Sequence, residues 1–258
     1  MKAAQAGLLI VFDLDDTLFP EREYVLSGFR HIARLTAEAL EASADEIFKF
    51  LESTSTEPTA RGQIFNRFIE AYPSIGDQWS VETLVHAYRC HTPELKLFPG
   101  VEAMLDELRD AEIELGIITD GPPDSQRRKL QALEPLAKIS AVVVTDEFGI
   151  ECRKPSKFAY SRIRSLFDPA PGCSIYVGDN PAKDFFGARS SGWNTVRLRM
   201  AGQYHERAEA ASPEFAPDDV ATSIDQLRSY LLECAADSRI AAREKQVGRS
   251  EFAADRIE

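Results

Sequence analysis

Asp13 and Asp15, two residues apart in Phe12-Asp13-Leu14-Asp15-Asp16-Thr17, carry the strongest chemical signal in the chain. On extended backbone, residues two apart point the same way, so these carboxylates project together while Asp16 points elsewhere. Two acids side by side repel each other unless a cation sits between them or one keeps a proton. With a magnesium ion present, Asp13 can act as an ionised nucleophile and oxygen ligand, and Asp15 can handle the leaving-group proton. Thr17 can orient the loop. Taken alone, the pentapeptide also reads as a turn that closes a strand with its acids in solvent.

Three later stretches carry polar groups of a compatible kind. Thr119, Asp120, Gly121 and Pro122 precede a helix, where a hydroxyl and backbone N–H groups seat a phosphate oxygen. In Cys152-Arg153-Lys154-Pro155 the residue before proline is kept out of helical geometry, so Lys154 can reach over a sheet edge toward nucleophile and phosphate. In Gly178-Asp179-Asn180-Pro181-Ala182-Lys183-Asp184, Asn180 is a good N-cap and Pro181 a good first helical residue. Asp184 then favours the helix dipole, while Asp179 has less structural excuse.

The elements needed to position these groups are legible. Leu8-Leu9-Ile10-Val11-Phe12 is an apolar run rich in β-formers, expected as a strand buried on both faces. The period then becomes helical, predicting helices over 22–42, 44–53, 60–72 and 78–91 with no strand between 20 and 98. In the third, Ile64, Phe65, Phe68, Ile69 and Tyr72 share one apolar face, as core packing requires. From Pro99-Gly100 onward, helices over 100–110, 123–133, 155–167 and 181–190 alternate with strands over 113–118, 141–144, 174–177 and 194–198. That alternation predicts an α/β fold, a Rossmann-like doubly wound parallel sheet with an inserted helical cap. Right-handed crossovers put every strand's carboxyl end on one edge, where such sheets bind ligands.

Composition narrows the function. A chain of 258 residues with formal charge −12 lacks the basic surface that nucleic acid or an anionic membrane requires, so neither is an expected partner. The apolar runs fall short of a transmembrane span, and the start runs into acids where a signal peptide needs a cleavage site, which makes the cytoplasm the expected setting. Cys90, Cys152, Cys173 and Cys234 are scattered, and His31, His86, His91 and His205 have no ligand spacing, so neither a disulfide framework nor a zinc site is indicated.

D-x-D-x-T at Asp13–Thr17, Thr119, Lys154-Pro155 and G-D-x-x-x-x-D at Gly178–Asp184, each after a strand, together resemble the haloacid dehalogenase superfamily in its phosphatase-like branch. The resemblance spans about residues 8–231 and puts the helical insert where that family carries a class I cap. It implies a catalytic core at 1–20 and 98–231 and a cap at 21–97; the charged, sparsely apolar stretch 232–258 lies outside the resemblance and reads as a peripheral segment, either a solvated helix, a partner-binding tail or disordered.

By motif position, the resemblance implies that Asp13 attacks phosphorus to form an aspartyl-phosphate and that Asp15 protonates the leaving oxygen, then activates water. Thr119 and the Asp120 N–H would bind phosphate, and Lys154 would stabilise nucleophile and phosphate. The expected metal set for Mg2+ is Asp13, Asp15 (including its main-chain carbonyl), Asp179 and Asp184, with Asp184 either a direct ligand or one step removed. Two departures stand out: Asp120 occupies a position where Asn is common, and the approach to Lys154 is long enough for Arg153 to compete for its role. Arg61 is the candidate substrate residue of the cap. The expected activity is Mg2+-dependent hydrolysis of a small phosphorylated metabolite, a sugar phosphate or nucleotide, by a monomer or homodimer. A phosphomutase of the β-phosphoglucomutase type and a non-catalytic binding module on the same fold are the alternatives. A carbon–halide dehalogenase would lack the acid at Asp15.

Overall fold

The computed structural model describes residues 7–60, 62–139, 141–167 and 173–254. Contacts divide them into two units, one built from Met1–Pro20, Leu97–Gly121 and Pro135–Glu258, the other from Glu21–Lys96 and Pro122–Glu134.

The first unit is organised on β1 (Leu8–Phe12), whose five side chains are all buried. The others are β2 (Glu114–Thr119), β3 (Ala141–Val144), β4 (Cys173–Gly178), β5 (Asn194–Leu198) and β6 (Asp219–Ala221). Their order is β3-β2-β1-β4-β5-β6, and every pairing is parallel. The topological switch therefore lies at β1, between β2 and β4, where ligands of doubly wound sheets bind. Register fixes the edge, because Phe12 pairs with Ile117 on one side and with Val177 on the other. Asp13, Thr119 and Asp179 thus leave neighbouring strand ends.

The flanking helices of this unit are α5 (Val101–Asp110), α7 (Phe158–Arg164), α8 (Asp184–Arg189) and α9 (Ile224–Ala254). One face of the sheet packs Leu9, Val11, Ile118, Val143 and Tyr176 against Tyr160 and Ile163 of α7, with Trp193 beside them. Gly116 permits that layer, since a Cβ there would lie 2.6 Å from Ile163 Cδ1.

The second unit contains α1 (Glu21–Thr36), α2 (Ala44–Ser55), α3 (Ile64–Ala71) and α4 (Val81–Cys90) around Phe29, Ile32, Ile47, Leu51, Phe68 and Leu84. Ser43 starts α2 with a reciprocal capping box to Glu46. Helix α6 (Pro123–Ala132) packs on α4 in this unit, with Lys129 Nζ 4.3 Å from the centre of the Tyr24 ring.

The elements differ from expectation in four places. Helix α1 stops at Thr36, whose hydroxyl turns back onto the Ile32 carbonyl, and Ala37–Ala42 form a turn. Asn180 does not cap α8; its carboxamide oxygen accepts the Ala182 N–H in a tight turn and Lys183 becomes the cap. β6 is an unexpected strand of three residues, two of them exposed. The tail boundary at 232 falls inside α9, where Leu231 and Ala235 are buried and Arg239 donates to the Ala111 carbonyl.

Candidate active site

The chain carries β1 one hydrogen bond past its last assigned residue, since the Asp13 N–H donates to the Val177 carbonyl at 2.8 Å. That bond holds Asp13 in the sheet frame and turns its carboxylate into a buried space, 1% exposed. Asp16 then takes a positive φ of 54°, which reverses the chain. Its carboxylate accepts the Tyr204 N–H at 2.8 Å and its carbonyl accepts Gln203 Nε2 at 2.6 Å, so the loop beyond β5 secures the turn.

Lys154 is the centre of charge. Its side chain is fully buried, and the ammonium lies 2.7 Å from Asp13 Oδ1 and 2.8 Å from Asp184 Oδ1. It also donates to Tyr176 Oη at 2.8 Å, and that hydroxyl donates onward to Asp184 Oδ1 at 3.3 Å. Burial alone would lower the Lys154 pKa, but the two carboxylates hold it well above the usual lysine range. Burial would likewise raise the Asp13 carboxyl, yet Lys154 and Lys183 keep it below its ordinary value, so it stays ionised. Arg153, the competing cation, instead forks onto Asp146 at 2.6 and 2.5 Å.

Asp179 and Asp184 come from the end of β4 and the start of α8. Oxygens of Asp13, Asp179 and Asp184, all buried, lie within 4.8 Å of one another. Asp184 is braced on its second oxygen by the Asn180 N–H at 2.8 Å. Gly178 makes room for it, because a Cβ there would sit 2.6 Å from Asp184 Oδ2. Asp179 Oδ2 and Asp13 Oδ2 have no hydrogen-bond partner among the described residues. Burial, with the charges of Asp184 and Asp13, pushes the Asp179 carboxyl up to about 9. Three buried carboxylates, two of them with an orphaned oxygen, and Lys154 compensating only Asp13 and Asp184, are a donor set suited to a hard divalent cation.

The remaining expected residues are placed as follows. The Asp15 side chain is half-buried and is not one of the three carboxylates of that cluster. Thr119 is fully buried at the end of β2. Asp120 accepts Thr145 Oγ1 at 2.8 Å and the Lys154 N–H at 3.1 Å, bracing the loop that carries the lysine. Arg61 lies outside the described residues.

Two residues had no assigned role. Lys183 brings its ammonium to 3.8 Å from both Asp13 Oδ2 and Asp120 Oδ2. Arg197 on β5 is buried and donates to the main-chain carbonyls of Asp179, Ala208 and His205 at 3.0, 2.8 and 2.7 Å. The only prior signal for Arg197 was a charged residue inside a strand, which otherwise reads as an edge.

This arrangement has counterparts among known proteins. The model of the haloacid dehalogenase-like hydrolases matches residues 10–198, from inside β1 to the end of β5. The chain belongs to that family. A glyceraldehyde 3-phosphate phosphatase of Methanopyrus kandleri is 29% identical over 227 residues, covering 85% of this chain and 96% of that protein. A phosphoserine phosphatase of Thermus thermophilus is 28% identical over 242 residues, covering 81% and 93%. A haloacid dehalogenase-like hydrolase of Bacillus subtilis, solved with magnesium bound, has the same fold with a TM-score of 0.60 at 17% identity, over 87% of this chain and 98% of that one.

Proposed function

We propose that this enzyme, a phosphatase of the haloacid dehalogenase-like family, hydrolyses the phosphomonoester of a small metabolite through an aspartyl-phosphate on Asp13. The observation that carries this reading is the pairing of Asp13 with Lys154 at 2.7 Å beside two further buried carboxylates. Asp13 stays ionised, one of its oxygens held by Lys154 and the other without a hydrogen bond. That second oxygen is the attacking atom. Asp15, on the same loop and half-buried, donates the proton to the leaving oxygen and then takes one from water. The Thr119 hydroxyl and the Asp120 N–H bind the phosphoryl oxygens.

Asp13, Asp179 and Asp184 would hold a magnesium ion, whose charge when bound would offset their mutual repulsion and that of the incoming phosphate. Lys154 fixes Asp13 and Asp184 relative to each other, and catalysis is then chiefly positioning and charge stabilisation. Relatives named for glyceraldehyde 3-phosphate and phosphoserine support a small phosphorylated substrate, and a sugar or triose phosphate is the preferred class. Among the described residues no helix is long and apolar enough to cross a membrane. The four cysteines are unpaired, which agrees with a reducing cytoplasmic setting.

The test is phosphate release from a panel of phosphorylated sugars, hydroxy acids, amino acids and nucleotides, with and without magnesium. Magnesium-dependent release by the wild type and none by Asp13→Asn is the expected result. No release from any ester by the wild type would overturn the hydrolase reading.

A further inference from the structure

Lys183 stands outside the roles assigned above, yet its ammonium is 3.8 Å from Asp13 Oδ2, the oxygen Lys154 leaves open, and 3.8 Å from Asp120 Oδ2. It lies beyond hydrogen-bond distance of both, and its side chain is 30% exposed. The ammonium is therefore open to an incoming group at the attacking oxygen while already charge-coupled to the acids around it.

Asp120 supplies the second half of the argument. Its Oδ1 makes both bracing contacts, from Thr145 Oγ1 and the Lys154 N–H, and a neutral amide oxygen could also accept both. The carboxylate adds a negative charge, and its Oδ2 is the oxygen that faces Lys183. Unopposed, that charge would repel a phosphate dianion approaching Asp13.

We infer that Lys183 is a further phosphate-binding residue and that it forms a matched pair with Asp120, cancelling the carboxylate's repulsion of the substrate phosphoryl group. This inference rests on the phosphatase reading. No bond is made or broken by either residue; their work is electrostatic.

Calorimetric titration with inorganic phosphate in the presence of magnesium tests it on the wild type, Lys183→Met, Lys183→Arg, Asp120→Asn and the Asp120→Asn/Lys183→Met double variant. Lys183→Met is expected to weaken phosphate about tenfold or more, as loss of a charge-assisted contact does, Asp120→Asn to tighten it about threefold or more, and the double variant to lie between the two single variants, nearer the wild type than Lys183→Met does. Lys183→Arg is expected to stay within about threefold of the wild type, because it keeps the charge. No loss for Lys183→Met, no gain for Asp120→Asn, or an Arg variant as weak as the Met variant would each overturn the pairing. Magnesium affinity, read from the melting shift without phosphate, is expected to be unchanged in Lys183→Met within about threefold. A parallel fall would make Lys183 part of the metal site and overturn the assignment. A wild type that binds magnesium but no phosphate would sink the phosphatase reading itself, and the pairing with it.

Discussion

The guanidinium of Arg197 is held 3.0 Å from the main-chain carbonyl of Asp179, buried under the loop whose carboxylate faces the site. The same guanidinium gathers the carbonyls of Ala208 and His205, so the segment after β5 and the segment after β4 share one anchor. Gln203 and Tyr204 of that segment in turn hold Asp16. The loop after β1 and the loop after β4 are thus fastened to one another through the segment after β5.

Arg197→Met removes that anchor without touching a carboxylate. Support of this kind, one step removed from a metal ligand, is commonly worth 10–100-fold in metal affinity. Magnesium binding, followed as a melting-temperature shift, should weaken by about that factor, and an unchanged titration would separate Arg197 from the site.

Lys154→Met leaves Asp13 and Asp184 buried without their shared cation. Breaking a buried pair in this way costs about 3–5 kcal/mol. Urea unfolding should show a loss of that order, and millimolar magnesium should restore more stability to the variant than it adds to the wild type.

Gly178→Ala would force a Cβ to 2.6 Å from Asp184 Oδ2 and 2.9 Å from Asp184 Cβ. Asp184 is held by Lys154, Tyr176 and the Asn180 N–H, so the strain passes to all three. Overpacking costs about 1–3 kcal/mol. Turnover should fall by more than tenfold while circular dichroism stays native; full activity in a folded variant would contradict the geometry.

His91 gives the helical unit a pH dependence. Its Nδ1 lies 2.6 Å from the Tyr88 carbonyl and therefore donates, while Nε2 is 3.1 Å from the Ser27 hydroxyl. Burial lowers its pKa below 6.5, the Tyr88 carbonyl opposes that, and the charges of His31, Arg128 and Lys129 add to the lowering. The unfolded chain then takes up a proton before the folded one does. The contribution is complete above about pH 6.5 and is lost as pH falls through the lower folded value. Melting temperature should fall between pH 7.5 and 5 more steeply in the wild type than in His91→Gln; parallel curves would rule the histidine out.

How far the sequence was legible follows from what each residue's neighbours are. β1 through β4 could be placed because strands of a parallel sheet covered on both faces are mostly apolar, β5 from its place in the helix–strand alternation despite Thr195 and Arg197, and Asp13, Thr119 and Asp179 because each ends an apolar run. β6 could not, since Asp219 and Val220 are exposed on an edge and leave no apolar stripe. Helix α6 follows Thr119-Asp120 in the chain but packs with α4, a choice made by distant residues rather than by its own period. Lys183 carried no assigned role because nothing local says that Asp13 and Asp120 flank it. Asn180 misled for the same reason: capping preference pointed to α8, while the Asp184 carboxylate claims its N–H.

The position of β1 in the sheet also bears on synthesis. Its two partners begin only at Glu114 and Cys173, so β1 leaves the ribosome well before either. The nascent chain therefore carries an apolar run with both edges bare until β4 has been made, a period in which it can aggregate and in which holdase chaperones can act. Asp13 meets Lys154 and Asp184 only once the chain has been made through the start of α8. Truncated chains ending before Gly178 cannot assemble the three buried carboxylates, so an interrupted product carries an incomplete site.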